Sequence, residues 1–302
     1  MKCIDAHLHI FERLTGYAFM GEFRPLGSGR VRWASGAEDL ICTPDMGDTG
    51  VSAESMIRFM DKHEIEMGVL LQGSAYGFQN EYIAESVTKF PDRFIGTGTI
   101  DPFFREFDMV LDRLMGELGF SRFKLEMSAT GGLCGFHDEE MLWNHKNLDK
   151  LCGRLNAVKG TLSLDIGMPG TVSHRVQDVR KFAERYPDLN IIVCHLCSMP
   201  ADAEEQLRSD LTVLKLPNIY FDVAALNSNT NEHAPFTWAR RYHRIAKEMV
   251  GAGKLIWGTD SATVMKDFTY EELQSLVLES GIYTDEELKD LFMNNAHKAY
   301  RF

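Results

Sequence analysis

Cys3-Ile4-Asp5-Ala6-His7-Leu8-His9-Ile10, near the start of the chain, is a short apolar run with a polar residue at every second position from Asp5 to His9. Side chains alternate along a β-strand, so Asp5, His7 and His9 share one face if this run is extended. Burying three polar, metal-capable groups on one face is costly unless something binds them. A divalent metal is the natural occupant, since neutral imidazole is a common metal ligand. At ~3.3 Å per residue the two histidines stand about 6–7 Å apart along the backbone, close enough for their side chains to converge.

Seven further apolar runs follow at strand length: 68–72, 94–101, 121–127, 161–167, 191–197, 219–226 and 255–260. Amphipathic stretches lie between them, at 52–64, 80–90, 104–118, 147–159, 172–186, 201–214 and 237–250, with two more at 271–280 and 284–297. Thr284 with Glu287 reads as a capping box. Pro91 and Pro187 follow helical patterns and force extended chain. Strand–helix alternation implies parallel strands with helical crossovers. Eight such units predict an α/β fold of one (β/α)8 TIM barrel over residues 1–302. A doubly wound sheet is the rival, but no Gly-rich phosphate loop follows the first strand.

About forty residues, Phe11 to Val51, separate the first strand from its helix, where βα loops usually take about 2–6. This insertion predicts a segment over the C-terminal face of the barrel, where such folds do chemistry. It carries Arg24, Arg30, Arg32 and Trp33 beside Gly27, Gly29 and Gly36. The segment is either a solvated surface loop or a lid whose arginines grip a substrate carboxylate.

The chain has 302 residues, 44% of them hydrophobic, with 32 Lys and Arg against 44 Asp and Glu, a formal charge of -12. That charge disfavours nucleic acid as a partner. No apolar run approaches the ~20 residues of a membrane span, and no secretory signal is evident. Six scattered cysteines (Cys3, Cys42, Cys134, Cys152, Cys194 and Cys197) suggest reduced thiols and a cytoplasmic location. Cys194-His195-Leu196-Cys197 has no second CxxC with which to form a zinc ribbon.

Several strands end in polar side chains: His195 in the sixth, Asp260 in the eighth, Lys124 in the fourth, Asp165 in the fifth and Gln72 in the second. In a barrel these ends meet around one mouth. The opening Asp5-Ala6-His7-Leu8-His9, His195, the Trp257-Gly258-Thr259-Asp260 strand and the closing Asn295-Ala296-His297-Lys298-Ala299-Tyr300 together resemble the amidohydrolase superfamily. The likeness is nearest to its amidohydrolase-2, or amidohydrolase-related, family and spans nearly the whole chain. That family includes lactonases, a hydratase, and decarboxylases of the aminocarboxymuconate-semialdehyde and resorcylate types.

The resemblance implies one divalent metal, zinc first and manganese second, with His7, His9 and Asp260 as ligands. It implies Asp260 as proton carrier and His195 as the residue facing substrate and metal. Asp165-Ile166-Gly167 stands where the decarboxylases carry a ligand histidine, which looks more like the lactonase group. Asp165 is then either an oxygen ligand or a substrate contact. Lys124 is expected to hold an anionic substrate, with a carbamate bridging two metals as the lesser alternative. Arg24, Arg30, Arg32 and His137 complete the expected substrate-binding set.

The expected activity is hydrolysis of a small carboxylate-bearing lactone, ester or amide by metal-activated water. The alternatives are a nonoxidative decarboxylase of an aromatic or unsaturated acid, and a barrel that binds a small anion without catalysis. A homodimer is a further expectation. His174 and His233 read as loop residues, and His63, His145, His243 and His297 as structural.

Overall fold

The computed structural model describes residues 2–302 and has a mixed α/β architecture built on parallel strands. β1 (Cys3–Leu8) is followed by β2 (Tyr17–Ala18), β3 (Gly21–Gly27), β4 (Arg30–Trp33) and β5 (Glu38–Leu40). A helix, Ala53–Lys62, leads to β6 (Ile65–Leu70), and Asn80–Lys89 leads to β7 (Phe94–Gly96). Helix Phe107–Gly116 precedes β8 (Arg122–Glu126), and Lys146–Ala157 precedes β9 (Thr161–Asp165). Helices Val176–Arg185, Glu204–Leu214 and Thr237–Val250 precede β10 (Asn190–Val193), β11 (Ile219–Asp222) and β12 (Leu255–Ile256). All eight expected strands are present, in the expected order.

They form two parallel sheets, ordered β1-β6-β7 and β12-β11-β10-β9-β8. Backbone hydrogen bonds cross both seams. Lys124 N–H donates to Gly98 O (2.9 Å) and Gly98 N–H to Arg122 O (2.8 Å), joining the chain after β7 to β8. At the other seam Ala6 N–H donates to Trp257 O (3.1 Å), Asp260 N–H to His7 O (2.9 Å) and His9 N–H to Ser261 O (2.6 Å). The C-terminal helix Asn295–Tyr300 packs Ala296, Ala299 and Tyr300 against Ile4, Val69, Ile192 and Ile256, one from each of four strands. The expected capping box at Thr284 and Glu287 is formed, and Thr269 with Glu272 makes a second.

Most of the strands stop short of their apolar runs, and two do so in left-handed backbone. After Val193 the backbone leaves the sheet as a left-handed turn, with φ of 55°, 47°, 65° and 52° at His195 to Ser198. After Ile256 the chain stays beside β1 but reaches Asp260 with φ 67°. L-residues pay roughly 1–2 kcal/mol each for left-handed backbone, so such a run persists only where surrounding contacts over-determine it.

Residues 17–40, expected as loop, contain a four-stranded antiparallel sheet ordered β2-β3-β4-β5. Phe23, Val31 and Trp33 are buried while Arg24, Arg30 and Arg32 point outward, the alternation a one-sided sheet requires. The sheet meets the loops at the C-terminal ends of the parallel strands. Tyr17 lies edge-on to Phe136, with ring centroids 5.2 Å apart. Gly16 passes so close to Ala75 that a Cβ would fall 1.5 Å from its carbonyl oxygen.

His174 lies in the loop before helix Val176–Arg185, as expected, and its side chain is a buried tie. Its Nδ1–H donates to Gly167 O (2.9 Å) and its Nε2 faces Asp210 Oδ2 at 2.7 Å. Burial disfavours the charged ring, but Asp210 and the Gly167 carbonyl outweigh it and raise the pKa above its ordinary value of 6.5. A histidine raised in the folded state contributes stability that is complete below pH 6.5 and fades as pH rises through the raised value. Thermal unfolding of wild type and His174→Gln across pH 5–9 should therefore show a gap that is widest at the acid end. A gap that is constant with pH would exclude the ion pair.

Candidate functional site

Three histidines meet at the C-terminal ends of β1 and β10, and each is fixed through Nδ1. His7 Nδ1–H donates to Asp222 Oδ2 (3.1 Å), His9 Nδ1–H to Leu71 O (2.9 Å) and His195 Nδ1–H to Ala224 O (3.0 Å). The Nε2 atoms of His7 and His9 face one carboxylate oxygen, Asp260 Oδ1, at 3.5 and 2.8 Å. The His7 and His195 rings stack with centroids 4.6 Å apart, and His7 meets His9 edge-on at 5.0 Å.

His7 Nε2 is buried and has no hydrogen-bond partner. With its proton on Nδ1, that nitrogen presents a lone pair to a carboxylate oxygen, and so does His9 Nε2. Acceptors facing acceptors are relieved by a cation between them. Ligand atoms of His7, His195 and Asp260 lie within 4.8 Å of one another. A second such group, His7, Cys194 and Asp222, is already internally satisfied by the His7–Asp222 hydrogen bond. The donor set of His7, His195 and Asp260 fits a divalent ion, and His9 Nε2 faces the same Asp260 oxygen.

Burial is the dominant influence on His7 and holds it down at about 4, Asp222 and Asp260 offsetting it only in part. A low pKa keeps the ring neutral and suited to coordination. Burial also opposes the Asp260 carboxylate, but the imidazoles of His9, His7 and His195 beside it outweigh burial and hold Asp260 well below the ordinary range. Asp5 does not join this group. Its carboxylate accepts from Thr259 N–H (2.9 Å), Thr259 Oγ1–H (2.6 Å) and His7 N–H (3.1 Å), bracing β1 against the segment after β12.

Asp165 stands on the far side of His195, its Oδ2 3.3 Å from His195 Nε2, while its Oδ1 accepts from Gly167 N–H (2.9 Å). Burial disfavours charge on the His195 ring, yet Asp165, then Asp222 and Asp260, push its pKa up to about 10. Asp165 is held correspondingly low by His195 and Lys124, against its own burial. The structure thus pairs Asp165 with His195 instead of bringing it to His7, His9 and Asp260. Lys124 is fully buried, and its Nζ donates to Glu126 Oε2 (2.7 Å) two residues along β8.

The other expected substrate contacts separate. Arg30 and Arg32 are half-exposed and pair with Glu38 at 3.1 and 2.7 Å. Arg24 is exposed, with no acidic partner among the described residues. His137 Nε2 faces Asp101 Oδ2 at 2.8 Å, and its ring stacks on Phe103 with centroids 4.2 Å apart.

Three site residues were not anticipated. Asp222 and Glu126 end strands just as Asp165 does, so the signal that found Asp165 applied equally to them. Tyr76 gave no signal. It sits in a short turn after β6, with its ring 5.2 Å from His9 and its buried hydroxyl bonded to Thr263. Burial, with Asp260 nearby, pushes the phenol up and keeps it protonated.

No described helix is long and apolar enough to cross a membrane. Among curated proteins none matches this chain. Among solved structures, a probable 2-pyrone-4,6-dicarboxylic acid hydrolase from Acinetobacter baumannii with citric acid bound is similar over all of both chains, at 19% identity and TM-score 0.71. An amidohydrolase from Burkholderia multivorans with bound zinc is similar over all of both chains, at 15% identity and TM-score 0.74. The amidohydrolase family model matches residues 4–302, so this chain belongs to the amidohydrolase family.

Proposed function

We propose that this protein hydrolyses a small carboxylate-bearing molecule, a lactone or a related ester or amide, with one divalent ion. Zinc is the first choice and manganese the second. Nε2 of His7, Nε2 of His9 and Asp260 would hold the ion, at one end of a closed barrel of the eight parallel strands. The observation carrying this reading is the set of three imidazoles held at Nδ1, two of them with Nε2 facing one carboxylate oxygen. The Acinetobacter neighbour, a probable hydrolase of a pyrone dicarboxylate, supports the substrate class.

A bound ion of this kind supplies Lewis acidity that makes water nucleophilic near neutral pH. Asp260 accepts the water's proton and returns it to the leaving oxygen or nitrogen as the acyl bond breaks. His195, kept protonated by Asp165, donates from Nε2 to the carbonyl oxygen that gains charge. The Tyr76 hydroxyl remains a hydrogen-bond donor beside them. Lys124 reaches a substrate carboxylate only in competition with Glu126. Arg24, like Arg13, is an arginine of the 11–51 segment without an acidic partner among the described residues.

The test is elemental analysis of the purified protein, followed by ring-opening of 2-pyrone-4,6-dicarboxylate and simpler lactones before and after chelation. One metal per chain and hydrolysis restored by zinc are expected. Full hydrolysis by metal-stripped protein would overturn the metal assignment. Carbon dioxide release without ring-opening would replace the hydrolase with a decarboxylase. Because Arg30 and Arg32 are spent on an exposed ion pair, which adds little to stability, Arg30→Ala and Arg32→Ala should leave hydrolysis and the melting temperature unchanged. Loss of activity in either would place that guanidinium on the substrate.

A further inference from the structure

We propose that Asp222 is a positioning residue that fixes the ring proton of His7 and seats the turn carrying His195. It deepens the functional reading above, and only its zinc measurement rests on that reading. Asp222 ends β11 and is fully buried. Its Oδ2 accepts from His7 Nδ1–H at 3.1 Å. Its Oδ1 accepts from His195 N–H at 2.9 Å and from Ala224 N–H at 3.2 Å. One carboxylate therefore touches the ring of one site histidine and the backbone of another.

An ionised carboxylate only accepts hydrogen bonds. Facing it, His7 must carry its proton on Nδ1, which leaves the lone pair on Nε2. That nitrogen is the buried, partnerless atom 3.5 Å from Asp260 Oδ1. The backbone half of the contact falls on the first of four consecutive left-handed residues, His195 to Ser198. Ala225, also left-handed, follows directly after the Ala224 amide that Asp222 holds. His195 Nδ1–H in turn donates to Ala224 O, so the turn after β10 and the turn after β11 are locked to each other around this acid. The stacking of the His7 and His195 rings follows from that shared anchor.

The substitution Asp222→Asn separates positioning from bulk. An amide has one acceptor oxygen and one donor nitrogen. Two backbone N–H groups compete for the oxygen on one side and one ring N–H on the other. Keeping both backbone bonds turns the amide NH2 toward His7 Nδ1. Donor then opposes donor, and the relief is transfer of the ring proton from Nδ1 to Nε2. The lone pair aimed at Asp260 is lost.

Histidine-labelled apo protein at pH 7.5 tests this by ring 15N NMR, with His7→Gln assigning the signal. Wild type should show His7 protonated at Nδ1, and D222N should show it protonated at Nε2, with far-UV circular dichroism unchanged. Zinc affinity, by competition with a chelating dye, should fall about 10–100-fold in D222N, the usual cost of losing such a partner. Wild-type His7 protonated at Nε2 overturns the proposal, and this measurement decides it if D222N does not fold. A D222N variant that keeps the Nδ1 proton also overturns it. If the tautomer switches in D222N but wild type binds no zinc, the metal assignment fails and the positioning role stands.

Discussion

Asp260→Asn should abolish turnover while leaving the protein folded. The amide is the same size as the carboxylate and can still face His9, so the packing around it is conserved. What it lacks is negative charge and the ability to take a proton. Proton transfer by a placed side chain is worth about 10²–10⁴-fold in rate, and kcat should fall by at least that factor. Loss of the charge adds to the effect. Asp260 Oδ1 is the one oxygen that both His7 Nε2 and His9 Nε2 face, and the Asp260 charge is part of what keeps His195 protonated. The variant should therefore also bind zinc more weakly, and an acid–base inflection in the rate profile of wild type should vanish. Circular dichroism and the melting transition check that the fold survives. A folded D260N variant with undiminished kcat would remove Asp260 from the chemistry.

Strand positions were legible because the apolar runs are short and separated by amphipathic stretches of helix length. The pair His7 with His9 follows from period two; the same period joins Lys124 to Glu126, which was not read. What period two could not reveal is where a strand stops. Ile191 to Cys197 is continuously apolar apart from His195, yet its last residues form a left-handed turn. Hydrophobicity records burial, and these residues are as buried in the turn as they would be in the sheet. The same alternation was present but unread in Arg30-Val31-Arg32-Trp33. It puts Val31 and Trp33 inside and sends both arginines to the outer face, where Glu38 on the neighbouring strand receives them. Asp165 was found as a strand-end acid, but whether such an acid meets a metal or a histidine depends on its neighbours across the sheet. Those neighbours, His195 and Lys124, are not adjacent to it in sequence. Tyr76 reaches the site from a turn after β6, with no spacing rule to announce it.

Gly258→Ala should damage activity nearly as much as loss of a ligand, although Gly258 contributes no functional group. A Cβ at this position would lie 2.9 Å from both His7 N and His7 Cβ, and 3.3 Å from Asp5 Oδ1. The first two are fixed to the backbone of β1 and cannot swing aside. Relief requires the segment after β12 to move away from β1. That segment is held there by the Ala6–Trp257, His7–Asp260 and His9–Ser261 backbone bonds, and by Asp5 clasping Thr259. These contacts also set the distance between the imidazoles on one strand and the acid on the other. Overpacking of this kind typically costs ~1–3 kcal/mol, which should appear as a drop of several degrees in melting temperature. Zinc affinity and kcat should fall together, because His7 and Asp260 part as the seam opens. Gly253→Ala is the control, since a Cβ there meets nothing within 4 Å. If G258A melts and turns over like G253A, close approach of the two strands is not what holds the acid against the histidines.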